Sequence, residues 1–313
     1  MSWLYKGHVI AAIVPAHNEA AHIGDVVAGL PDTVDHIVVI DDASTDETSE
    51  IAVRSGDPRL VLIRHDTNTG VGGAIVSGHR KALELGSEIN VVFAGDDQMD
   101  PTYLPALLDP IVDEGYGFTK ANRFYSSTSF KGMPTYRVVG NVLLSFANKA
   151  ASGYWNLFDP QNGYTAVSAG VLGRIDLDNL SPGYQFENDL LLNLNILDVR
   201  ARDVPIPARS GSEVSGIKLR KVIPAIGGLL FAGFFRRVLL KYVIGSFSPI
   251  ALFLFSGLLL WVWSAAFGAW TIYETIGPGV ATTGTVLLAV VPFLMGFHLI
   301  LTALTLDIQA SPR

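Results

Sequence analysis

From residue 9 to residue 94 the chain alternates short apolar runs with longer stretches of mixed polarity. The apolar runs, at 9–14, 36–40, 60–64 and 90–94, are too short for helices and read as buried strands. Between them, 21–30, 46–55 and 70–85 carry helical patterns, the last opening on glycines. Strands and helices alternating at this spacing predict βαβ units around a mostly parallel sheet, an α/β fold. In such a sheet, ligands bind beyond the carboxyl ends of the strands. From 102 to 220 the pattern is less regular: one helix is expected near Tyr136–Ser152, with turn-rich stretches at 158–163 and 208–216. Loops of that length usually bind something or move.

A different pattern begins at about residue 222. Ser248–Trp270 and Gly284–Leu306 contain no charged side chain, and each is long enough as a helix to cross about 30 Å of hydrocarbon. Arg236, Arg237 and Lys241 precede the first span, whereas the loop 271–283 holds Glu274 and no Lys or Arg. The excess of bases places residues 1–240 on the cytoplasmic side. Val222–Tyr242, apolar but interrupted by bases, is expected to lie along the membrane interface. His298, inside the second span, reads as a packed or interfacial side chain. The expected division is a cytoplasmic catalytic domain over 1–221, amphipathic interfacial helix over 222–245 and a transmembrane hairpin over 246–313.

Composition agrees with that division. Of 313 residues, 49% are hydrophobic and only 16% charged, too apolar for an ordinary soluble enzyme. The net charge of -7 argues against a nucleic-acid partner, which needs a basic face. The absence of cysteine excludes disulfides, thiol nucleophiles and Cys-ligated zinc. Met1–Ile10 lacks the apolar core of a signal peptide, in keeping with a cytoplasmic first domain.

The chemistry gathers at the strand tips. Val91-Val92-Phe93-Ala94-Gly95-Asp96-Asp97-Gln98-Met99-Asp100-Pro101 ends an apolar strand in three carboxylates and a glutamine within five residues. Hard oxygen donors at a strand tip suit a divalent cation held against a phosphate. Asp41-Asp42 end the second strand, where they suit a nucleobase imide or a ribose hydroxyl. Asp46 reads as the partner of the helix that follows. Val14-Pro15-Ala16-His17-Asn18-Glu19 closes the first strand, a weak signal alone because Asn and Glu often serve as caps. Asn68-Thr69-Gly70-Val71-Gly72-Gly73-Ala74 lacks the final glycine of a dinucleotide loop. Close backbone approach to a nucleotide and simple tight packing are both open for it.

Together these segments resemble family 2 glycosyltransferases of the GT-A fold, in the branch that moves sugars onto polyprenyl or dolichyl phosphate. Later matches are Asp159-Pro160-Gln161-Asn162-Gly163-Tyr164 and Tyr184-Gln185-Phe186-Glu187, so the resemblance spans nearly all of the first 220 residues. It implies that Pro15, His17, Glu19, Ile40, Asp42 and Gly95 line the nucleotide-sugar pocket. It also implies that Asp96 and Gln98 hold Mg2+ or Mn2+ with the donor diphosphate. Arg123 and Arg137 match bases that receive the acceptor phosphate, with structural salt bridges as the alternative for both. Arg209, Ser215 and Lys218 match a flexible loop that closes over the donor, although attraction to anionic headgroups also suits those bases. Glu187 matches a position that orients or polarises the acceptor, a structural hydrogen bond being equally open. The chain departs from the pattern at Ala94, where the first acid of Asp-x-Asp is lost, and at Thr165, where relatives commonly carry a base. Asp97 or Asp100 stands near enough in sequence to compensate for Ala94.

The expected activity is inverting transfer of mannose or glucose, from GDP-mannose or UDP-glucose, to a membrane polyprenyl or dolichyl phosphate. A lipid phosphate is already anionic, so no strong general base is needed. The alternatives are a non-catalytic nucleotide-sugar-binding scaffold, or a transferase using another lipid or a polysaccharide acceptor. The Gln-x-x-Arg-Trp signature of processive synthases does not occur. The sequence leaves a homo-oligomer open.

Overall fold

The computed structural model describes residues 4–125, 135–159, 162–207, 219–276 and 280–312. They form two compact units, one reaching Phe234 and the other Phe235–Ser311. Arg209, Ser215 and Lys218 lie outside the described residues, as do Pro160 and Gln161.

The first unit is built on a seven-stranded sheet in the order β3-β2-β1-β4-β6-β5-β7. Its strands are β1 (Ile10–Ala16), β2 (His36–Asp41), β3 (Leu60–Arg64), β4 (Ile89–Val92), β5 (Phe118–Asn122), β6 (Thr165–Ser168) and β7 (Ala201–Pro205). The four expected strands pair in parallel, and β6 alone runs antiparallel to its neighbours β4 and β5. The helices are α1 (Ile23–Gly29), α2 (Thr48–Arg54), α3 (Val71–Glu84), α4 (Leu104–Glu114), α5 (Thr135–Ser152), the short α6 (Ala169–Leu172), α7 (Phe186–Ile196) and α8 (Leu219–Arg237).

Because successive side chains of a strand point to opposite faces, β1 feeds two cores. Ile10, Ala12 and Val14 pack with Ile23, Val27, Leu104 and Leu108 of α1 and α4. Ala11 and Ile13 pack with Ile75 and Leu190 of α3 and α7. A strand covered on both sides has no use for a polar residue, which is why β1 reads as an unbroken apolar run. The chain passes from β1 outward through β2 and β3, then returns to place β4 on the other side of β1. That reversal opens a crevice beyond the tips of β1, β2 and β4.

Helix α8 begins near the composition break but is not wholly given to an interface. Ile226 and Leu230 are buried against Ala151 and Leu192, while Phe231 on the other side is 71% exposed.

The second unit holds a π-helical turn at Val238–Ile244 and two long helices, α9 (Pro249–Ile276) and α10 (Thr283–Gln309). Both are long and apolar enough to cross a membrane, and little of each apolar window is buried. They approach closely where Gly257 meets Gly296: a Cβ on either would lie within 3 Å of the other's carbonyl oxygen. Ser264 Oγ donates to the Ala289 carbonyl at 2.7 Å, and Trp261 stacks on Phe293 at 5.7 Å. Small residues that let backbones meet, with a hydroxyl bonded across, are how helices pack in lipid. Below this contact, Asp307 accepts both Arg237 guanidinium nitrogens, at 2.7 and 3.1 Å, and the Tyr242 hydroxyl at 2.6 Å.

Candidate active site

A cavity of about 440 Å3 occupies the crevice. Pro15, His17, Glu19, Asp42, Gly95 and Asp96 line it together. Its size suits a nucleotide-sized ligand. Register explains the convergence. Pro15 and Ala16 of β1 lie beside Ile40 and Asp41 of β2, and beyond β4 the Phe93 and Gly95 amides still donate to Ile13 and Pro15 of β1. Three strand tips thus end level around one hollow.

Ile40 is a correction. Its side chain is fully buried in the core below α3 and does not line the cavity: it lies on the same face as Asp42 but two residues deeper in the strand, packed under Gly78 of α3, whereas Asp42 stands just past the strand end.

The acids at the tip of β2 are tied down. Asp41 accepts from the Ser44 amide at 2.8 Å and from the Ser49 hydroxyl, and it faces Arg64. Burial pushes its carboxyl up, but those hydrogen bonds prevail and hold it below the ordinary range. Asp42 accepts from the Thr69 and Gly70 amides at 2.8 Å each, from the Thr69 hydroxyl at 2.9 Å and from His65 Nδ1 at 2.7 Å. Burial again opposes ionisation, and again the donors outweigh it. Asp42 therefore anchors the loop before α3 as well as lining the cavity. His17 Nδ1–H donates to the Asp42 carbonyl at 2.8 Å, leaving Nε2 to accept from Asn18. Asp46 bonds the Thr48 and Ala20 amides, a structural role.

Ala16, Asn68, Gly70, Val71, Ala74, Ala94, Gly183 and Tyr184 complete the lining. Gly70 has φ 85°, and a Cβ there would meet the Pro182 carbonyl at 2.6 Å. A Cβ on Gly72 would lie 2.5 Å from the Ser181 carbonyl and 2.8 Å from Phe186. The glycine-rich helix start thus shows the tight packing, seating the 181–184 loop, and it also borders the cavity. That seat presents Tyr184, 53% exposed, at the rim. Neither Gly183 nor Tyr184 was assigned a role from sequence, since their place depends on contacts over a hundred residues away.

Asp96 faces the cavity and its Oδ1 accepts the Gln98 amide at 3.1 Å, while the Gln98 side chain is exposed. Asp97 and Asp100, offered as substitutes for the acid lost at Ala94, line a different hollow with Asp25. Asp97 has φ 56°, and Asp100 caps the turn that follows by accepting from Thr102 at 2.9 and 2.7 Å. Neither lines the cavity that Asp96 faces. Among the described residues no group of three or more His, Asp or Glu side chains could hold a metal ion. The donors nevertheless fit Mg2+ or Mn2+, which accept one or two carboxylates and fill the remaining positions with phosphate oxygens and water. The cavity also needs such a charge: its described lining contributes Glu19, Asp42 and Asp96 and no Lys or Arg.

The remaining candidates stand apart from the cavity lining. Arg123 donates Nε and Nη2 to Asp159 at 2.7 and 3.1 Å, the salt bridge foreseen as its alternative. Arg137 lies on α5, and its side chain is outside the described ones. Glu187 opens α7 beside Gly163, and desolvation pushes its carboxyl up to about 7. Beneath it lies an ionic core unforeseen from sequence. Lys120 is fully buried, bonds the Asp159 carbonyl and sits 3.9 Å from Asp203. Asp203 accepts from Asn122 and the Phe158 amide, and its other oxygen has no hydrogen-bond partner among the described residues. Burial depresses the ammonium of Lys120 and raises the carboxyl of Asp203. Thr165, the second departure, is the cross-strand partner of Lys120.

Residues 11–175 match the family described as Glycosyl transferase family 2. The chain belongs to that family. It is 30% identical over 213 residues to the UDP-N-acetylglucosamine--dolichyl-phosphate N-acetylglucosaminyltransferase of Methanococcus voltae, spanning 63% of this chain and 84% of that one. To the undecaprenyl-phosphate mannosyltransferase of Micrococcus luteus it is 31% identical, spanning 63% and 82%. The glucosyl-3-phosphoglycerate synthase of Mycobacterium tuberculosis, solved with Mn2+ and uridine diphosphate, superposes with a TM-score of 0.55 at 23% identity. That superposition covers 74% of this chain and 80% of the synthase, and establishes a shared fold. As a member of glycosyl transferase family 2, the chain is a glycosyltransferase with a mostly parallel α/β sheet and two apolar C-terminal helices.

Proposed function

We propose that this transferase moves a hexose, with inversion, from a nucleotide sugar to a membrane polyprenyl or dolichyl phosphate on the cytoplasmic face. The observation that carries the reading is the joining, in one chain, of the acid-lined cavity at the strand tips with two membrane-length helices. Relatives whose names specify dolichyl and undecaprenyl phosphate acceptors support it. Residues 1–221 act as the catalytic domain, 222–245 lie along the interface and 246–313 anchor the protein.

His17, Asp42 and the Asn68–Gly70 loop hold the nucleoside, and Asp96 holds Mg2+ or Mn2+ against the diphosphate. The cation, when bound, neutralises the leaving diphosphate. Tyr184 covers the mouth and limits water at the anomeric carbon. The acceptor phosphate oxygen attacks C1 while the bond from C1 to the diphosphate breaks; the acceptor is anionic, so no proton has to leave in the step. Positioning supplies much of the acceleration. Glu187, Arg123 and Arg137 serve the acceptor phosphate, and Arg209, Ser215 and Lys218 serve the donor.

The test is full-length protein in detergent with polyprenyl phosphate, Mg2+ or Mn2+, and radiolabelled GDP-mannose, UDP-glucose or UDP-N-acetylglucosamine in turn. One donor is expected to yield an organic-extractable labelled lipid, with activity falling by about 100-fold or more in Asp96→Asn. Donor binding with no lipid product from any donor would leave the scaffold reading in place instead.

A further inference from the structure

We propose that His65 is a positioning residue for the donor nucleoside: it fixes the Asp42 carboxylate and, through it, the Asn68–Gly70 wall of the cavity. The inference rests on the reading of the cavity as the nucleotide-sugar site and makes no use of the acceptor.

Register puts the two side chains together. Arg64 of β3 is the partner of Asp41 in β2, and the His65 amide still donates to the Asp41 carbonyl at 2.9 Å. His65 and Asp42 are therefore the next residues past two neighbouring strand ends. The His65 side chain is only 15% exposed and is held at both ring nitrogens: Nδ1 lies 2.7 Å from Asp42 Oδ1, and Nε2 lies 3.0 Å from Ser77 Oγ on α3. Turning the ring over would put carbon atoms against both oxygens, so the two contacts select one orientation. Ser77 is fixed in turn, because its hydroxyl also bonds the Gly73 carbonyl at 3.1 Å, one helical turn back. From Asp42 the contacts continue into the cavity wall. The same Oδ1 accepts the Thr69 amide and hydroxyl, and Oδ2 accepts the Gly70 amide. Segment 65–70 thus begins and ends on one carboxylate, and its Asn68 and Gly70 line the cavity. Burial pushes the Asp42 carboxyl up, and the His65 bond is among those that hold it ionised. His65 itself is not in the cavity lining, so it acts through Asp42 and not on the ligand. A loop this rich in small and polar residues keeps one shape only if its anchor does, and His65 ties that anchor to α3.

The experiment is equilibrium binding of GDP and UDP to the full-length protein in detergent with Mn2+, together with steady-state transfer from the productive donor. His65→Ala is expected to weaken nucleotide binding and raise the donor KM about tenfold, the loss of a hydrogen bond to a charged group, with kcat and the polyprenyl-phosphate KM nearly unchanged. His65→Asn places an amide where Nδ1 stood and is expected to recover most of that loss. Ser77→Ala frees only the far side of the ring and is expected to weaken binding by a smaller factor. If His65→Ala binds GDP and UDP as the wild type does, the positioning role is overturned. If His65→Ala does not fold, Ser77→Ala with wild-type affinity for both nucleotides overturns it equally. If His65→Ala and His65→Asn lose kcat together with affinity for donor and acceptor alike, His65 supports the fold at large and the inference also fails. Where the wild type binds GDP or UDP but transfers to no lipid, the acceptor reading falls and the binding measurements still decide the role of His65. Wild-type protein that binds neither nucleotide would overturn the nucleotide site and this role together.

Discussion

In the first unit the side chains of β1 and β2 that bear on α1, α3 and α7 are aliphatic and fully buried, and the acids collect at the strand tips. In the second, Leu252, Leu259, Val262 and Leu294 are each more than half exposed, whereas Arg237 and Asp307 are buried. The same forces act with different surroundings. Water rewards the first arrangement, while hydrocarbon makes exposed leucine harmless and exposed charge costly. Each unit also buries an ion pair, and the pairs differ in completeness. The Arg237 fork satisfies both Asp307 oxygens, a bidentate match. Lys120, a single ammonium, is shared between a carbonyl and Asp203, and one Asp203 oxygen lacks a hydrogen bond among the described residues. One pair is self-contained; the other is a node in a network that supports the 156–159 turn.

The largest expected effect breaks each pair from its cationic side. Lys120→Met and Arg237→Met are each expected to cost about 3–5 kcal/mol, because a buried carboxylate is left behind. Their rescue separates the units. Adding Asp307→Leu to Arg237→Met removes the stranded charge and recovers most of the loss, at the expense of the Tyr242 hydrogen bond. Adding Asp203→Leu to Lys120→Met does not, because Asp203 also receives Asn122 and the Phe158 amide. Thermal unfolding of the full-length proteins in detergent reads all four. Equal rescue in both units would show that the two pairs do not differ in the way proposed.

A somewhat smaller contrast concerns exposed aliphatics. Val53 on α2 is 55% exposed and Leu259 on α9 is 70% exposed, so exposure alone would treat them alike. Val53→Lys is expected to change stability by no more than about 0.5 kcal/mol. Leu259→Lys puts a charge into a membrane-length helix, at a cost of about 2.5–3.5 kcal/mol near its centre. The check is the fraction retained in alkaline-washed membranes together with the unfolding temperature. Full retention of Leu259→Lys, with no loss of stability, would argue that α9 does not face lipid.

The contrast between units also marks what could be read from sequence. β1 to β4 were legible because each is buried on both faces and pairs in parallel, so apolar runs and helical patterns alternate regularly. β5 to β7 were not. β5 carries Thr119, Lys120 and Asn122 inward, and β6 is four residues long and antiparallel. A buried lysine acceptable only because a carbonyl and a carboxylate arrive from residues 159 and 203 leaves no local pattern. The site divides likewise. Pro15, His17, Asp42 and Asp96 follow strand tips and could be placed, whereas Tyr184 reaches the rim only because Gly70 and Gly72 admit the 181–183 loop. Ile40 shows the limit of motif transfer: a motif names a segment, and how deep each residue sits beneath the covering helix decides which side chains reach the cavity.

The smallest effect tests how the first unit carries its buried titrating groups. Burial lowers His79, on the inner face of α3 beside Asn90, from 6.5 to about 4. The fold therefore favours the neutral ring, and stability falls as the pH drops from about 6.5 toward 4, when the unfolded chain takes up a proton that the folded one refuses. Glu187 is displaced the other way, from 4.5 to about 7, so the fold favours its protonated form and stability falls as the pH rises between those values. From about pH 5 to 6.5 the two slopes oppose and largely cancel. Removing one exposes the other: relative to wild type, Glu187→Gln is expected to lose stability on acidification from pH 6.5 to 5 by about 1.5 kcal/mol. His79→Gln is expected to shift the balance in the opposite sense. Chemical unfolding at several pH values measures both. Profiles for Glu187→Gln and wild type that stay parallel through this range would mean that Glu187 is hydrated in the folded protein, and the acceptor side of the site would then be open to water even without substrate.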